Sequence, residues 1–368
     1  LTANSIGERF RITSFGESHG RLVGVIVDGC PAGLLLSEKE VQAELDRRRP
    51  GMTSISTQRR EEDRVEILSG LLRGFTTGAP ICMMVWNREV DSSAYDRIRD
   101  TPRPGHADFT SWLKYGGFND YRGGGRSSGR ITAGFVAAGA VAKRLLVRLG
   151  IRVLAHTVQI GEVKAGDASI DEIERNLEKN SVRCADLAVA EAMEEEIRRA
   201  MREGDSVGGV IQCVASGVPA GLGEPVFDTL EGDIAKALFA IPAVKGVDFG
   251  SGFEGARLRG SRNNDPFIIS EGRVRTLTNN AGGILGGISN GMPITCRVAI
   301  KPTPSISLPQ RTVNLKTMSE TQITIHGRHD PCVVPRAIPV VEAMVSIVLV
   351  DHSLRMGVLP VALRRAEG

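Results

Sequence analysis

The sequence of 368 residues predicts an α+β fold with antiparallel strand pairing, on three observations. Short runs rich in β-branched residues recur along the chain. Amphipathic and apolar segments separate them without strict alternation and without segregating to one end. No fixed-period repeat or low-complexity tract interrupts the pattern. Strict alternation would instead indicate a doubly wound parallel sheet. The chain reads as one domain over residues 1–368 with a flexible C-terminal tail from about Met356; the polar stretch from Gly161 to Asp186 is the best candidate for a boundary.

Strands are expected at Leu22–Val27, Val65–Leu68, Ile81–Trp86, Val153–Ile160, Val207–Val214 and Ile294–Ile300. Ser37-Glu38-Lys39-Glu40 has the spacing of a capping box, Val41 and Leu45 continue an apolar stripe, and Pro50-Gly51 ends that helix. Arg47, Arg48 and Arg49 therefore crowd its C-terminal end. A longer helix is expected from about Thr132 to Leu149, with Gly150 as its C-cap and small residues that permit close packing. Asp186–Arg202 and Asp228–Phe239 read as amphipathic helices, and Pro339–Val350, apolar nearly all round, as a buried one.

Composition narrows the function. A formal net charge of only +3 and 4% aromatic residues argue against nucleic acid, which calls for a basic footprint and rings to stack on bases. The arginines are instead clustered, at Arg47–Arg49, Arg59-Arg60 and Arg122–Arg130, which suits a small polyanion. Six scattered cysteines without a Cys-x-x-Cys pair read as reduced core residues. Leu1–Arg11 lacks the pattern of a secretory signal, and no apolar run reaches the roughly 18 residues of a membrane span. A cytoplasmic protein without membrane contact is the expectation.

Three polar segments do not read as structural. Ser14-Phe-Gly-Glu-Ser-His19-Gly20 sets a titratable ring between glycines; alone it reads equally well as a surface turn. Arg103-Pro-Gly-His106-Ala-Asp108, followed by Asp120-Tyr-Arg-Gly-Gly-Gly-Arg-Ser-Ser-Gly-Arg130 and a helix, combines freed backbone N–H groups, a helix N-terminus and forked donors as an anion site would; the alternative is a flexible basic loop in which Ser127 and Ser128 only cap the helix. The third runs from Asn279 through Gly282, Gly283, Gly286 and Gly287 to Gly291, then Lys301-Pro302-Thr303-Pro304-Ser305, then His326-Gly-Arg-His329-Asp330. Its glycines and amides suit a flat ring system, and Lys301, Thr303, Ser305 and Arg328 suit a phosphate tail. His326 and His329 lack a third ligand at helical spacing, so no metal site is read. Gly250-Ser-Gly-Phe-Glu-Gly255 matches G-x-G-x-x-G, but arginines and not an apolar helical stripe follow, so it reads as a turn.

Together these segments resemble the signature regions of the chorismate synthase family: Gly16-Glu-Ser-His-Gly20, Arg122-Gly-Gly-Gly-Arg-Ser-Ser-Gly-Arg130, and Arg328-His-Asp-Pro-Cys332 continuing to Pro339-Val-Val-Glu-Ala-Met344. The resemblance spans Asn4 to Asp351. It implies a β-α-β sandwich, helices packed between antiparallel sheets, assembled as a homotetramer. It implies a 1,4-anti elimination of phosphate from 5-enolpyruvylshikimate 3-phosphate that requires reduced FMN without net redox change. Reduced flavin is expected from an external flavin reductase or another source.

Carried over by residue, the resemblance implies His19 near the flavin pyrimidine edge, His106 as proton donor to the departing phosphate, and Asp330 in a proton relay, with Ser18, Ser127 and Ser128 orienting protons. Cofactor positions are Arg126, Ser127, Ser128, Pro242, Ala243, Gly286, Lys301, Pro302, Thr303, Pro304, Ser305 and Arg328. Substrate-anion or NADP positions are Arg48, Arg49, Ser54 and Arg130. Ser54 stands where many relatives carry a basic residue, and Pro242 replaces a polar one. The competing readings are a non-catalytic flavin-binding protein, which needs the glycines and Lys301 but not the arginine clusters, and an RNA-binding protein, which the scarcity of aromatics opposes.

Overall fold

The computed structural model describes residues 3–51, 55, 61–88, 92–325 and 329–363. Ser54, Arg59, Arg60, His326 and Arg328 lie outside the described residues. Two five-stranded sheets enclose a layer of helices. The first holds β1 (Ser5–Ile6), β2 (Arg11–Gly16), β3 (Leu22–Asp28), β4 (Val65–Ile67) and β5 (Ile81–Trp86), in the order β1-β2-β3-β5-β4. The second holds β6 (Arg152–Ile160), β7 (Val163–Lys164), β8 (Gly209–Ser216), β9 (Val244–Phe249) and β10 (Ile294–Ile300), in the order β9-β10-β8-β6-β7. All their pairings are antiparallel. Side chains alternate across a strand, so Val23, Val25 and Val27 on β3 and Ile81, Met83 and Val85 on β5 all fall on the buried face.

The helix layer contains α1 (Glu38–Arg48), α2 (Thr132–Val147), α3 (Leu230–Phe239) and α4 (Val334–Arg355). α2 packs on β3 and β5, α4 packs on β6 and β8, and the two helices pack on each other. This is a β-α-β sandwich. Small residues on α2 make it possible: a Cβ on Gly139 would stand 2.2 Å from the Cβ of Ala343, and one on Gly134 would stand 2.9 Å from the carbonyl oxygen of Gly24. Overpacking such a crossing costs about 1–3 kcal/mol.

The capping box at Ser37 forms with both of its hydrogen bonds, and α1 stops at Arg48 with Arg49 as its C-cap. α4 begins earlier than the sequence suggests, because proline normally ends a helix. Pro339 lies inside α4 and lacks the N–H that would bond the carbonyl of Pro335; Arg183 Nη1 donates to that oxygen instead, at 3.1 Å. α4 is long and apolar enough to cross a bilayer, but 94% of its apolar window is buried inside the protein, as befits a core helix.

Glu342, on α4 and 1% exposed, locks the layer. It accepts from Arg47 at 2.6 and 3.2 Å, from Lys143 at 2.6 Å and from the Ala155 backbone at 3.1 Å, joining α1, α2, α4 and β6. Burial works to raise its pKa, but Lys143 and Arg47 outweigh it and hold the carboxyl at about 2.

The six cysteines are unpaired and all but Cys82 are buried. The segment after Met356, expected as a tail, runs back beside Ala32: the Leu363 N–H donates to the Ala32 carbonyl at 2.8 Å, and Leu359 is buried. The G-x-G-x-x-G run forms one turn of helix, Gly252–Gly255, after β9.

Candidate functional site

A cleft of about 990 Å³ lies among the β2–β3 loop, the end of α1, residues 103–107, the Gly-rich run leading into α2, residues 239–245 from the last residue of α3 into β9, residues 301–305 after β10, and the start of α4. The volume suits a small-molecule site, typically roughly 300–1,000 Å³. All five sequence-predicted catalytic residues line it: Ser18, His19, His106, Ser128 and Asp330. So do Arg126, Ser127, Pro242, Ala243, Lys301, Thr303, Pro304 and Ser305, together with Arg48 and Arg130. Gly286, at the turn between Ile284–Leu285 and Ile288–Ser289, is not among the described lining residues; nor are Arg49 and Pro302. Arg48, Arg103, Arg126, Arg130, Lys245, Lys301 and Arg336 line the cleft against the carboxylates Glu61 and Asp330, so the described wall favours a polyanion.

Two adjacent glycines place the two histidines. Gly123 (φ +60°) lies so close to His19 that a Cβ there would stand 2.4 Å from Nε2, and a Cβ on Gly124 (φ +93°) would stand 2.8 Å from Cε1 of His106. Backbone with positive φ and no side chain is what lets one loop cover both rings. His19 Nδ1 lies 3.0 Å from Ser92 Oγ, and its ring meets Tyr95 edge-on at 4.9 Å. Arg103 lies over the same tyrosine, 5.6 Å from its centroid.

His106 Nδ1 is 2.6 Å from Asp108 Oδ1, and Arg103 grips that carboxylate through Nε at 2.7 Å and Nη2 at 2.8 Å. Burial lowers the pKa of His106; its bond to Asp108 works the other way, and the cations that press on it are Arg103 and Lys301. Asp108 is half-buried, which works to raise its pKa, yet Arg103 and His106 hold it below the usual carboxylate range.

Arg48 and Arg130 meet at Asp63. Arg48 donates from Nη1 to Asp63 at 2.7 Å, from Nε to Thr132 at 3.1 Å and from Nη2 to the Gly129 carbonyl at 3.0 Å. Arg130 pairs with Asp63 and Glu61 and donates from Nε to Asn87 at 2.8 Å. Burial draws Arg48 down to about 10, which leaves it charged at neutral pH, and works to raise Asp63, which Arg48 and Arg130 nevertheless hold low. Arg126 points away from this cluster. It donates to the Gly16 and Ser14 carbonyls at 2.8 and 3.1 Å and so ties the Gly-rich loop to β2.

On the opposite strand end, Lys301 Nζ donates to the Gly105 carbonyl and the Lys301 backbone N–H to Ala243 at 2.9 Å. Ala243 has φ +73°, a left-handed backbone rare outside glycine and typical of constrained sites. Ser305 accepts from Arg103 at 3.1 Å. Thr303 Oγ1 is buried without a hydrogen-bond partner among the described residues. Asp330 pairs with Arg336, whose Nε donates to the Arg48 carbonyl at 3.3 Å.

Sequence reasoning missed Asp63, Tyr95, Arg336 and His329 as site residues. Asp63 sits in Glu61-Glu62-Asp63, which looks like a solvated charge run; only the tertiary fold brings two arginines to it. His329 lines the cleft, where burial and then Arg103 lower its pKa to about 4.

The profile of the family described as chorismate synthase matches residues 10–354. A chorismate synthase from Dehalococcoides mccartyi is 58% identical over 358 residues, covering 97% of this chain and 98% of that protein. One from Methanosarcina barkeri is also 58% identical, over 357 residues, with the same two coverages. A solved structure described as a crystal structure of chorismate synthase superposes with a TM-score of 0.77 at 34% identity, covering 95% of this chain and 93% of that one. Matches of this length and identity, on a sandwich whose loops deliver the signature histidines to one cationic cleft, establish that the chain belongs to the chorismate synthase family of lyases.

Proposed function

We propose that this chain converts 5-enolpyruvylshikimate 3-phosphate to chorismate by 1,4-anti elimination of phosphate, with reduced FMN required. The observation that carries the reading is the pairing of His19 and His106 beneath Gly123-Gly124 in a cleft walled by arginine and lysine. The substrate bears a phosphate and two carboxylates, and Arg48 retains N–H groups beyond the three donors that its internal bonds use.

The residues present fit a flavin phosphate and ring. Thr303 Oγ1 is a buried hydroxyl awaiting a partner, Lys301 supplies charge beside it, and Pro242 and Ala243 offer an apolar wall. The chemistry that reduced FMN supplies when bound is transient electron donation and acceptance of the C6 hydrogen. The protein's own part is to bind, orient and move protons. His106 Nε2 donates to the phosphate oxygen as its C–O bond breaks, the arginines stabilise the charge that develops there, and Asp330, held by Arg336, stands ready as a relay. Ser127 and Ser128 approach from the same loop as the glycines. The working enzyme is read as a cytoplasmic homotetramer supplied with reduced flavin from outside.

The test is an anaerobic assay of phosphate release and product absorbance with the ester. Turnover only when reduced FMN is present supports the reading. Flavin binding without phosphate release would make the chain a flavin-binding protein only.

A further inference from the structure

The proton donor assigned to His106 has a partner that the signature motifs leave without a role. We propose that Asp108 is a positioning residue for proton transfer: clamped by Arg103, it keeps a proton on His106 Nδ1 and so aims Nε2 into the cleft. The inference rests on the reading of His106 as donor to the departing phosphate.

Asp108 is acceptor-only as long as it is ionised, and three donors from Arg103 keep it so: Nε at 2.7 Å, Nη2 at 2.8 Å and the backbone N–H at 3.0 Å. An acceptor 2.6 Å from His106 Nδ1 requires Nδ1 to carry a proton. Arg103 Nη2 also lies 3.1 Å from Nδ1, but its second N–H would bond there only if Nδ1 were unprotonated, and that would set two acceptors, Nδ1 and the ionised Oδ1, face to face at 2.6 Å. The clamp is rigid. Arg103 is 4% exposed and its Nη1 is tied to Ser305 at 3.1 Å.

The other ring nitrogen is then the one available to substrate. Nε2 lies under Gly124, where a Cβ would stand 3.1 Å away, so the missing side chain leaves that approach open. One hexapeptide builds the whole unit: Arg103-Pro-Gly-His-Ala-Asp108 turns through the His106 N–H to Arg103 carbonyl bond at 3.2 Å, and Asp108 opens the Asp108–Lys114 helix. During transfer the Nε2 proton passes to the phosphate oxygen, Nδ1 keeps its proton, and Asp108 stays ionised. Nε2 is then reprotonated from solvent.

The charged and titratable groups facing His106 are Arg103, Asp108, Lys301 and His329. Removing the carboxylate leaves Arg103 and Lys301 unopposed, so the imidazolium is harder to form. For Asp108→Asn we expect kcat to fall about 10²–10³-fold with KM for the ester within about threefold, as for loss of a group acting in the transition state. The decline of turnover with rising pH is expected to move to lower pH. In the double variant with His106→Ala, Asp108→Asn is expected to add less than about a twofold loss, because it acts through the ring it no longer has.

Multiplicative losses in the double variant, or Asp108→Asn turnover within about twofold of wild type, would overturn the positioning role. Retained turnover in His106→Ala alone would instead defeat the proton-donor reading on which it rests. Should Asp108→Asn fail to fold, ¹⁵N-labelled wild-type protein decides the matter. Protonation of neutral His106 at Nδ1 supports the proposal, and protonation at Nε2 overturns it.

Discussion

A Cβ on Gly123 would stand 2.3 Å from Cδ2 of His19, closer than real side chains approach. Gly123→Ala is therefore expected to displace the ring as well as strain a backbone with φ +60°, a cost of about 1–2 kcal/mol. Turnover is expected to fall at least about tenfold, beyond what the stability loss explains. Gly124→Ala is expected to do the same through His106. Gly166→Ala, where an added Cβ meets nothing within 4 Å, is the control and is expected to leave turnover and melting temperature unchanged.

Asp63 is the hinge of the arginine pair, with its side chain 0% exposed and both Arg48 and Arg130 bound to it. Asp63→Ala leaves two guanidinium groups buried without that counter-charge, which costs about 3–5 kcal/mol. Urea denaturation measures the loss. An effect below about 1 kcal/mol would mean that Glu61 alone neutralises the pair.

Glu342 carries a pH signature. Its folded pKa of about 2 lies below its ordinary 4.5, so its contribution is fully present above pH 4.5 and is lost as pH falls toward 2. The shift corresponds to about 3 kcal/mol. Glu342→Gln is thus expected to be destabilised by about that much at pH 7, with the gap to wild type narrowing steadily between pH 4.5 and 2 in denaturant titrations. A gap that stays constant over this window would contradict the account.

Much of this was legible locally. The Ser37 capping box, the small-residue helix and the histidines in glycine-flanked turns are written in adjacent residues, and the fold uses them as read. What escaped depends on partners far along the chain. α4 runs through Pro339 because Arg183, 152 residues before Pro335, fills the orphaned carbonyl. Asp63 matters because Arg48 and Arg130 arrive from α1 and the Gly-rich run. Arg126, a cofactor position by resemblance, lines the cleft and also bonds the Ser14 and Gly16 carbonyls of β2, a contact that its place in the run does not announce. Asp108 had a local signal, lying two residues from His106, but its clamp by Arg103 becomes visible only when the turn is folded.

His329 tests how far burial within the cationic cleft shields a ring from water. Burial and Arg103 place its pKa at about 4, so it is expected to remain neutral from pH 8 down to about 5 in the ligand-free protein. Because its folded pKa is depressed below 6.5, it subtracts stability as pH falls below that value. Histidine NMR titration reads the midpoint directly. A midpoint near 6.5 would show that water reaches the ring freely.

Proton donation by His106 is the centre of the proposed mechanism, and single-turnover phosphate release with reduced FMN under anaerobic conditions tests it most directly. Wild type and His106→Ala are compared across pH at saturating ester. The account predicts that the variant binds the ester but releases phosphate about 10²–10⁴-fold more slowly, and that it loses the wild-type decline at high pH. A variant that keeps the wild-type rate and loses only affinity would contradict the account, making His106 a binding residue and moving the search for the acid to His19.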